Sequence, residues 1–216
     1  MKILSLEEAI WHLQREKVIA YPTETFYAIG GLALSPAAST AVFSAKQRPG
    51  NQPLPVIIGQ VEQLPLLAKN ISNAEFTLAT QFWPAPLSIL FKAGPLLPEE
   101  LLCNSAEVAI RQTPHFVAAE ICRLAGPLSG SSANLSGEAP VAGPEQLSHK
   151  LLEGIAGVVG PCSQFTTQPS SQTALRPAGD KPSTLVRVVG DGLLELIRPG
   201  AVSAEELKKK GWQLAS

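Results

Sequence analysis

The chain has 216 residues, of which 45% are hydrophobic and 16% are charged, and its formal net charge is −1. This length and hydrophobic content suit one large domain with a substantial core and exclude a chain that is disordered throughout. The near-zero net charge gives no sign of a broad basic surface for nucleic acid, although it leaves room for a local basic patch. Cys103, Cys122 and Cys162 are widely spaced and form no CxxC pair, so we expect neither a disulfide framework nor a zinc site.

The first segment, MKILSLEEAIWHLQREK, mixes charged and apolar residues and contains no continuous apolar core. It does not have the pattern of a secretion signal, and no other run is long and apolar enough to span a bilayer. We therefore expect a cytoplasmic protein that makes no contact with a membrane.

Local patterns predict helices that alternate with strands. Helices are expected over 6–16 (with Ser5 and Glu8 as a capping box), 36–46 (beginning at Ser35-Pro36 and ending at Lys46), 61–69, 73–83, 115–126, 144–153 and after Ser203. Strands are expected over 18–23, 54–59, 87–93, 107–111, 127–132 and 157–160, with a hairpin over 184–198 that turns at Asp191-Gly192. This order predicts an α/β fold with a mixed sheet flanked by helices.

Residues 161–183 are rich in Pro, Ser, Thr and Gln and show no periodicity. Such a long segment without secondary structure is typical of a flexible loop or a lid. No second domain of useful size remains after residue 203, so we expect residues 1–216 to form a single domain.

Cations stand at the predicted ends of helices and strands in this weakly charged chain. Lys46 and Arg48 lie in KQRP, Arg111 ends an apolar strand and Arg198 ends the last strand. Lys46 and Arg48 are also typical of a solvent-exposed helix end, because cations are favoured near helix C-termini. A cation in the position of Arg111 needs an anionic partner. Taken together, the four suit an anionic substrate with phosphates and a carboxylate.

Two polar segments complete this picture. YPTETFYAIGG (21–31) ends a strand with a proline and two threonines, and taken alone it is more typical of a turn than of a site. SGSSANLSGEAP (129–140) contains four serines and one asparagine, and is either a cap and turn or a cradle for an anion. The chain has no GxxxxGK[ST] loop, no GxGxxG after a strand, no GxSxG elbow and no metal-ligand spacing, so we expect no metal site.

Six segments in this order and spacing are similar to those of a known family: YPTETFYAIGG, AKQRPGNQPL, FWPAPLSIL, VAIRQTPHF, PLSGSSANLSGEAP and LIRPGAVS. From about residue 6 to about residue 203 the chain resembles the YrdC-type L-threonylcarbamoyladenylate synthases, in their short, single-domain TsaC-like form. The most specific parts of the resemblance are the K-x-R and S-x-N pairs, here Lys46, Arg48, Ser132 and Asn134.

The resemblance implies a YrdC-like fold, a twisted mixed open sheet with a large concave cavity. It also implies a nucleotidyltransferase, which makes threonylcarbamoyl-AMP and pyrophosphate from L-threonine, bicarbonate and ATP. A threonylcarbamoyl-transferase partner enzyme then modifies adenosine 37 of tRNA, so this chain would meet tRNA indirectly or weakly. Mg²⁺ would accompany ATP without a dedicated site on the protein.

The resemblance also assigns roles to residues. Catalysis falls to Lys46, Arg48, Ser132 and Asn134. The same four would bind ATP together with Ser183 and Arg198, while threonine would be bound by Thr23 and, through its carboxylate, by Arg111.

The chain departs from the family at several positions of this site, namely Ala28, Gly50, Pro55, Glu107 and Pro140. A carboxylate at position 107 would repel ATP, so we expect Glu107 to face away or to contribute only its backbone. Three alternatives stay open: a YrdC-fold paralogue without this activity, an RNA-binding module that uses the concave surface, and a maturation domain associated with carbamoyl transfer. The last normally belongs to a longer chain with zinc-binding cysteines.

Overall fold

The structure, a computed structural model, describes residues 1–48, 52–160 and 180–215. Most of the predicted loop or lid over 161–183, namely 161–179, lies outside the described residues, and so does Gly50. Within the described residues no helix is long and apolar enough to cross a membrane.

The strands divide between two sheets. They are β1 (Ile3–Leu4), β2 (Ile19–Pro22), β3 (Tyr27–Gly30), β4 (Val56–Ile58), β5 (Leu87–Lys92), β6 (Glu107–Gln112), β7 (Leu128–Ser129), β8 (Ser131–Ser132), β9 (Val158–Val159), β10 (Thr184–Gly190), β11 (Leu193–Arg198) and β12 (Gln213–Leu214). The first sheet has the order β1-β9-β2-β3-β8, and the second has the order β12-β11-β10-β5-β6-β4-β7. Each contains parallel and antiparallel pairs. The predicted mixed α/β class is confirmed, and its division into two sheets is a feature that the sequence did not indicate.

Five of the helices in the described residues begin after a serine whose side chain caps them, whereas Glu99–Leu102, which the sequence did not predict, and Phe116–Ala125 have no side-chain cap. The helices are α1 (Leu6–Leu13), α2 (Pro36–Lys46), α3 (Asn73–Phe82), α4 (Glu99–Leu102), α5 (Phe116–Ala125), α6 (His149–Glu153) and α7 (Ala204–Lys209). Ser5 and Glu8 form the predicted capping box of α1, and the Ser35 hydroxyl accepts from the amide of Ala38 at the start of α2. The predicted helix over 61–69 is a 3₁₀ helix (Val61–Leu66) that contains Pro65. The predicted helix over 144–153 is interrupted because Ser148 caps a new helix, α6.

Apolar side chains form two clusters on opposite faces of the strands. Val56 and Ile58 of β4 belong to the larger cluster, whereas Ile57 between them belongs to the smaller one, as the period of a strand requires. α1 and α5 supply Leu13 and Ile121 to the smaller cluster. Strands that are packed on both faces hold the residues at their ends in fixed positions, because close-packed interiors deform little. Side chains at these strand ends are therefore well placed to form a binding site.

The two sheets meet where β3 passes β7. Gly30 lies so close that a Cβ built on it would stand 1.7 Å from the carbonyl oxygen of Ser129, and only glycine fits there. The Tyr21 hydroxyl on β2 donates to the same Ser129 carbonyl at 2.9 Å. β3 therefore joins the first sheet to the second, and the residues just before it lie at this junction.

Candidate functional site

A cavity of about 450 Å³ opens beside this junction and takes its walls from both sheets. The first sheet contributes Thr23, Thr25 and Phe26 of the turn before β3, and Ser132 on β8. The second contributes Glu107, Ala109 and Arg111, which alternate along β6 and therefore share one face. The volume lies in the range typical of small-molecule sites, which are about 300–1,000 Å³.

Six of the eight residues that the sequence proposes for the site line this cavity. They are Thr23, Arg48, Arg111, Ser132, Ser183 and Arg198. Lys46 and Asn134 are not among the lining residues. The departures Ala28, Pro55 and Pro140 also line the cavity.

Lys46 is buried at the end of α2, with 3% of its surface exposed. Its Nζ donates to the carbonyl oxygen of Ser132, and to that of Asn134 at 2.7 Å. Burial and, to a smaller extent, the nearby charge of Arg48 together lower the pKa of Lys46 to about 8. Lys46 thus holds the backbone of the S-x-N segment from behind the cavity wall.

Asn134 shapes the turn that follows this segment. Its Nδ2 donates to the carbonyl oxygens of Leu135 and Glu138, both at 2.8 Å. Its buried Oδ1 has no hydrogen-bond partner within the part of the chain that the structure describes. The predicted K-x-R and S-x-N pairs are therefore in contact, but through backbone carbonyls on the Ser132–Asn134 side.

Arg48 reaches the cavity, and its hydrogen bonds among the described residues go only to neutral oxygens. Its Nη1 donates to the Ser131 hydroxyl at 3.2 Å and its Nη2 donates to the Pro53 carbonyl at 3.4 Å. Burial lowers the pKa of Arg48 because the charged form loses solvation. A half-buried guanidinium without a carboxylate partner is a favourable place for an anion, since Arg forms bidentate bonds to phosphate and carboxylate.

Arg198 also donates to neutral oxygens, on the other side of the cavity, and is more exposed than Arg48. Its Nη2 donates to the Ser183 carbonyl at 2.9 Å and to the Ser183 hydroxyl at 3.2 Å, and that hydroxyl lies 3.0 Å from the Ser88 hydroxyl. Burial and then the charge of Arg111 lower the pKa of Arg198. Arg111 and Arg198 therefore lie near enough for their charges to interact.

Arg111 already has an anionic partner, which local sequence patterns did not identify. Its Nε donates to Glu24 Oε1 at 2.9 Å, and the Thr113 hydroxyl donates to Glu24 Oε2 at 2.5 Å. The side chains of Arg111 and Glu24 are only 7% and 11% exposed. The sequence analysis did not identify Glu24 or Thr113 as site residues, because Glu24 and Thr113 lie 89 positions apart in the chain. The only available signal was the expectation that a cation at position 111 needs an anion.

The turn before β3 is held by its own threonine. The Thr23 hydroxyl donates to the Phe26 carbonyl at 2.6 Å and accepts from the Thr25 amide at 3.3 Å. Ala28, which follows on β3, pairs with Tyr21 and Ser132 and is not among the residues with positive φ. A Cβ is therefore compatible with position 28, and this departure from the family needs no strained loop.

Glu107 does not face away, contrary to the expectation from sequence. It lines the cavity, and Arg187 donates to both of its carboxylate oxygens, from Nε at 3.0 Å and from Nη2 at 2.7 Å. Arg187 is on β10, which is separated from β6 by β5. Its positive charge compensates the Glu107 carboxylate, which would otherwise repel an anionic ligand.

The comparisons with known proteins agree with this geometry. The model of the Sua5, YciO and YrdC family, described as "Telomere recombination", matches residues 12–200. The chain belongs to this family. The resemblance predicted from the sequence is therefore confirmed.

Relatives of this family carry a consistent name. The chain is 36% identical over 127 residues to the threonylcarbamoyl-AMP synthase of Pyrococcus abyssi, covering 58% of this chain and 37% of that protein. It is 31% identical over 199 residues to a putative threonylcarbamoyl-AMP synthase of Mycobacterium tuberculosis, covering 92% and 85%. The structure of P. abyssi Sua5 complexed with L-threonine matches with a TM-score of 0.79 and 26% identity, over 99% of this chain and 61% of that one. The sequence match thus covers about 37% of the Pyrococcus relative's length.

A resident metal has no evident place in the described part of the chain. No group of three or more His, Cys, Asp or Glu side chains there is arranged to hold a metal ion. The chemistry of the cavity is instead that of arginine, serine and threonine, which bind anions by charge and by hydrogen bonds.

Proposed function

We propose that the protein is an L-threonylcarbamoyladenylate synthase, which makes threonylcarbamoyl-AMP and pyrophosphate from L-threonine, bicarbonate and ATP. The observation that carries the proposal is that Arg48, Arg111 and Arg198 line one cavity in a chain with a net charge of −1. All three substrates bear negative charge, so a site for them must neutralise charge and align the reacting groups. The names of the relatives support the same activity.

The reaction needs little covalent chemistry from the protein. The threonine amine takes up CO₂ from bicarbonate and becomes a carbamate, with loss of water. A carbamate oxygen then bonds to the α-phosphorus of ATP while the bond from that phosphorus to the bridging oxygen breaks and pyrophosphate leaves. Positioning and electrostatic stabilisation are the main contributions available to the enzyme.

The proposed roles follow the contacts of each residue. Arg48 and Arg198, which face neutral oxygens, bind phosphate oxygens, with Ser132 and Ser183 as hydrogen-bonding partners. Arg111 binds the threonine carboxylate through the terminal nitrogens that Glu24 leaves available, and the turn at Thr23 faces the rest of the amino acid. Lys46 and Asn134 keep the segment of Ser132 in place from behind the wall.

The wider setting is part of the same proposal. Mg²⁺ enters with ATP and leaves with pyrophosphate, since oxygen-bound Mg²⁺ usually travels with phosphates. The product passes to a threonylcarbamoyl-transferase partner, which modifies adenosine 37 of tRNA. We propose the cytoplasm as the compartment because that tRNA is modified there. A cavity of about 450 Å³ favours small substrates over direct binding of an RNA duplex.

Pyrophosphate release from ATP tests the proposal. We expect release that requires both L-threonine and bicarbonate, and threonylcarbamoyl-AMP as the second product in equal amount. Release with L-serine but not with L-threonine would change the amino acid assigned to the site. Folded protein that releases no pyrophosphate with all three substrates would contradict the activity and favour the inactive paralogue.

A further inference from the structure

Glu24 makes the single carboxylate contact to a cavity-lining arginine within the described residues. Arg48 and Arg198 donate to hydroxyl and carbonyl oxygens there, whereas Arg111 donates its Nε to the Glu24 carboxylate. Glu24 itself does not line the cavity. The three arginines share one site but differ in their neighbours. The positive charges of Arg48 and Arg198 have no carboxylate beside them in the described part of the chain, whereas that of Arg111 is compensated by Glu24.

The Glu24 carboxylate is fixed from both sides. Arg111 holds Oε1, and Oε2 accepts the one proton of the Thr113 hydroxyl, whose oxygen in turn accepts from the His115 amide at 3.1 Å. With both side chains about nine-tenths buried, the arrangement is poorly screened by solvent. The negative charge therefore stays beside Arg111, and the contact to Glu24 holds the Nε side of its guanidinium.

The charge of a ligand determines how strongly it binds to an arginine that is paired with a carboxylate, as Arg111 is with Glu24. A phosphate chain gains mainly from full positive charge, so it favours Arg48 and Arg198 over Arg111. A single carboxylate is satisfied by two well-placed N–H donors, which a guanidinium keeps even when a neighbour compensates its charge. We propose that Glu24 is a positioning residue that makes Arg111 selective for the carboxylate of an amino acid and against phosphate chains, an inference that rests on the proposed function.

Competition between two ligands tests this selectivity without any turnover. The L-threonine dissociation constant is measured by calorimetry with and without saturating inorganic tripolyphosphate. In the unaltered protein we expect a change below about twofold. In Glu24→Gln the amide removes the charge and keeps the size of the side chain. Its one oxygen can still accept from Arg111, while its NH₂ group replaces the oxygen that accepts from Thr113. Tripolyphosphate should then raise the L-threonine dissociation constant at least about fivefold, the lower end of typical coupling between ligands.

Glu107→Gln is the matched control. It removes one carboxylate charge from the same cavity, but that carboxylate is paired with Arg187 and not with Arg111. We expect its response to tripolyphosphate to equal that of the unaltered protein. Equal responses of Glu24→Gln and the unaltered protein would overturn the proposal, and so would an equal response of Glu24→Gln and Glu107→Gln.

A second variant guards against a misfolded Glu24→Gln protein. The double variant Glu24→Gln/Arg111→Gln removes both charges together and leaves no buried charge unpaired. A compensated Arg111–Glu24 pair attracts phosphate chains little, so its removal should hardly change their binding. We expect the tripolyphosphate dissociation constant of this variant to lie within about twofold of that of the unaltered protein. An increase beyond about fivefold contradicts the proposal. Pyrophosphate release by the unaltered protein, measured in parallel, reports separately on the proposed function.

Discussion

Lys46 is a buried cation, and this changes what its substitution measures. The sequence places it at a helix end, where a charge is usually solvated, whereas the structure leaves only 3% of it exposed. Two carbonyl oxygens accept from its Nζ. A substitution here therefore affects stability as well as catalysis, unlike the loss of an exposed surface charge.

The lowered pKa of Lys46 predicts how stability depends on pH. Its value of about 8 in the folded protein is below the ordinary 10.5, so between these pH values the unfolded chain binds a proton that the folded protein has released. Stability from this group therefore rises as pH increases from about 8 to about 10.5. We expect the free energy of unfolding of the unaltered protein, minus that of Lys46→Met, to increase by about 1–2 kcal/mol between pH 7.5 and pH 9.5.

Urea unfolding at the two pH values measures this difference, and all other titrating groups cancel in it. Lys92→Met, at an exposed position on β5, is the control, and we expect no such pH dependence for it. Parallel behaviour of the Lys46 and Lys92 variants would show that Lys46 keeps its ordinary proton affinity.

Arg48 is the residue for which loss of activity and loss of stability should separate most clearly. Its two hydrogen bonds in the folded protein go to neutral oxygens at 3.2 and 3.4 Å. We expect Arg48→Ala to lower turnover about 10²- to 10³-fold, as when an electrostatic contact to the transition state is removed. The free energy of unfolding should change by no more than about 1 kcal/mol.

Arg15→Ala is a suitable control for this substitution. The Arg15 guanidinium lies 3.9 Å from the centre of the Trp11 ring on α1, and neither residue lines the cavity. We expect full turnover from this variant in the pyrophosphate assay. If Arg48→Ala also retained full turnover, the assignment of Arg48 to the phosphates would be wrong.

The candidate site was predictable in part at this scale. Low charge content made each cation informative, and the structure brings Arg48, Arg111 and Arg198 to one cavity. The identity of the partner of Arg111 was not predictable, because Glu24 lies 87 positions away and only the tertiary fold brings the two together. Local patterns state that a buried charge needs a counter-charge but not which residue supplies it.

At the scale of elements, the outcome depended on whether the determining contacts are local. Ser35-Pro36 begins α2 at the predicted residue, and the turn at Asp191-Gly192 joins β10 to β11, with Gly192 at φ +73°. β3 was missed, since Pro22 reads as the end of a strand and Gly30-Gly31 as a turn. Its pairing with β8 involves residues about a hundred positions later, which no local pattern contains.

Gly30 on β3 supports a prediction about the junction of the sheets. A Cβ at this position would stand 1.7 Å from the Ser129 carbonyl oxygen, so Gly30→Ala must separate β3 from β7. We expect a loss of at least about 3 kcal/mol in the free energy of unfolding, as for severe overpacking. Denaturant titration of the purified variant measures it.

Gly190 provides the matched glycine control in another strand. The nearest atom to a Cβ on Gly190 is 3.8 Å away, and its φ is not in the positive range. We expect Gly190→Ala to change stability by no more than about 0.5 kcal/mol. Equal stabilities of the two alanine variants would mean that β3 and β7 tolerate separation.

At the scale of the whole molecule, the sequence indicated an α/β class and a shared anion site, but not that two sheets build it. The cavity is lined by Thr23 and Ser132 from the side of the first sheet and by Arg111 and Arg198 from the second. Each sheet therefore supplies an incomplete set of contacts. A ligand that bridges them stabilises their docking as well as occupying the site.

This bridging predicts a ligand-dependent rise in melting temperature. A non-hydrolysable ATP analogue at about 100 times its dissociation constant adds about 2.7 kcal/mol of stability when it binds only the folded protein. For a chain of 216 residues that corresponds to a rise of about 5–10 °C. We expect this rise in the unaltered protein and in Arg15→Ala, whose substitution lies outside the cavity. At the same analogue concentration Arg48→Ala should show a rise below about 2 °C, because its weakened binding leaves little ligand bound. Equal rises in all three proteins would place the nucleotide away from Arg48.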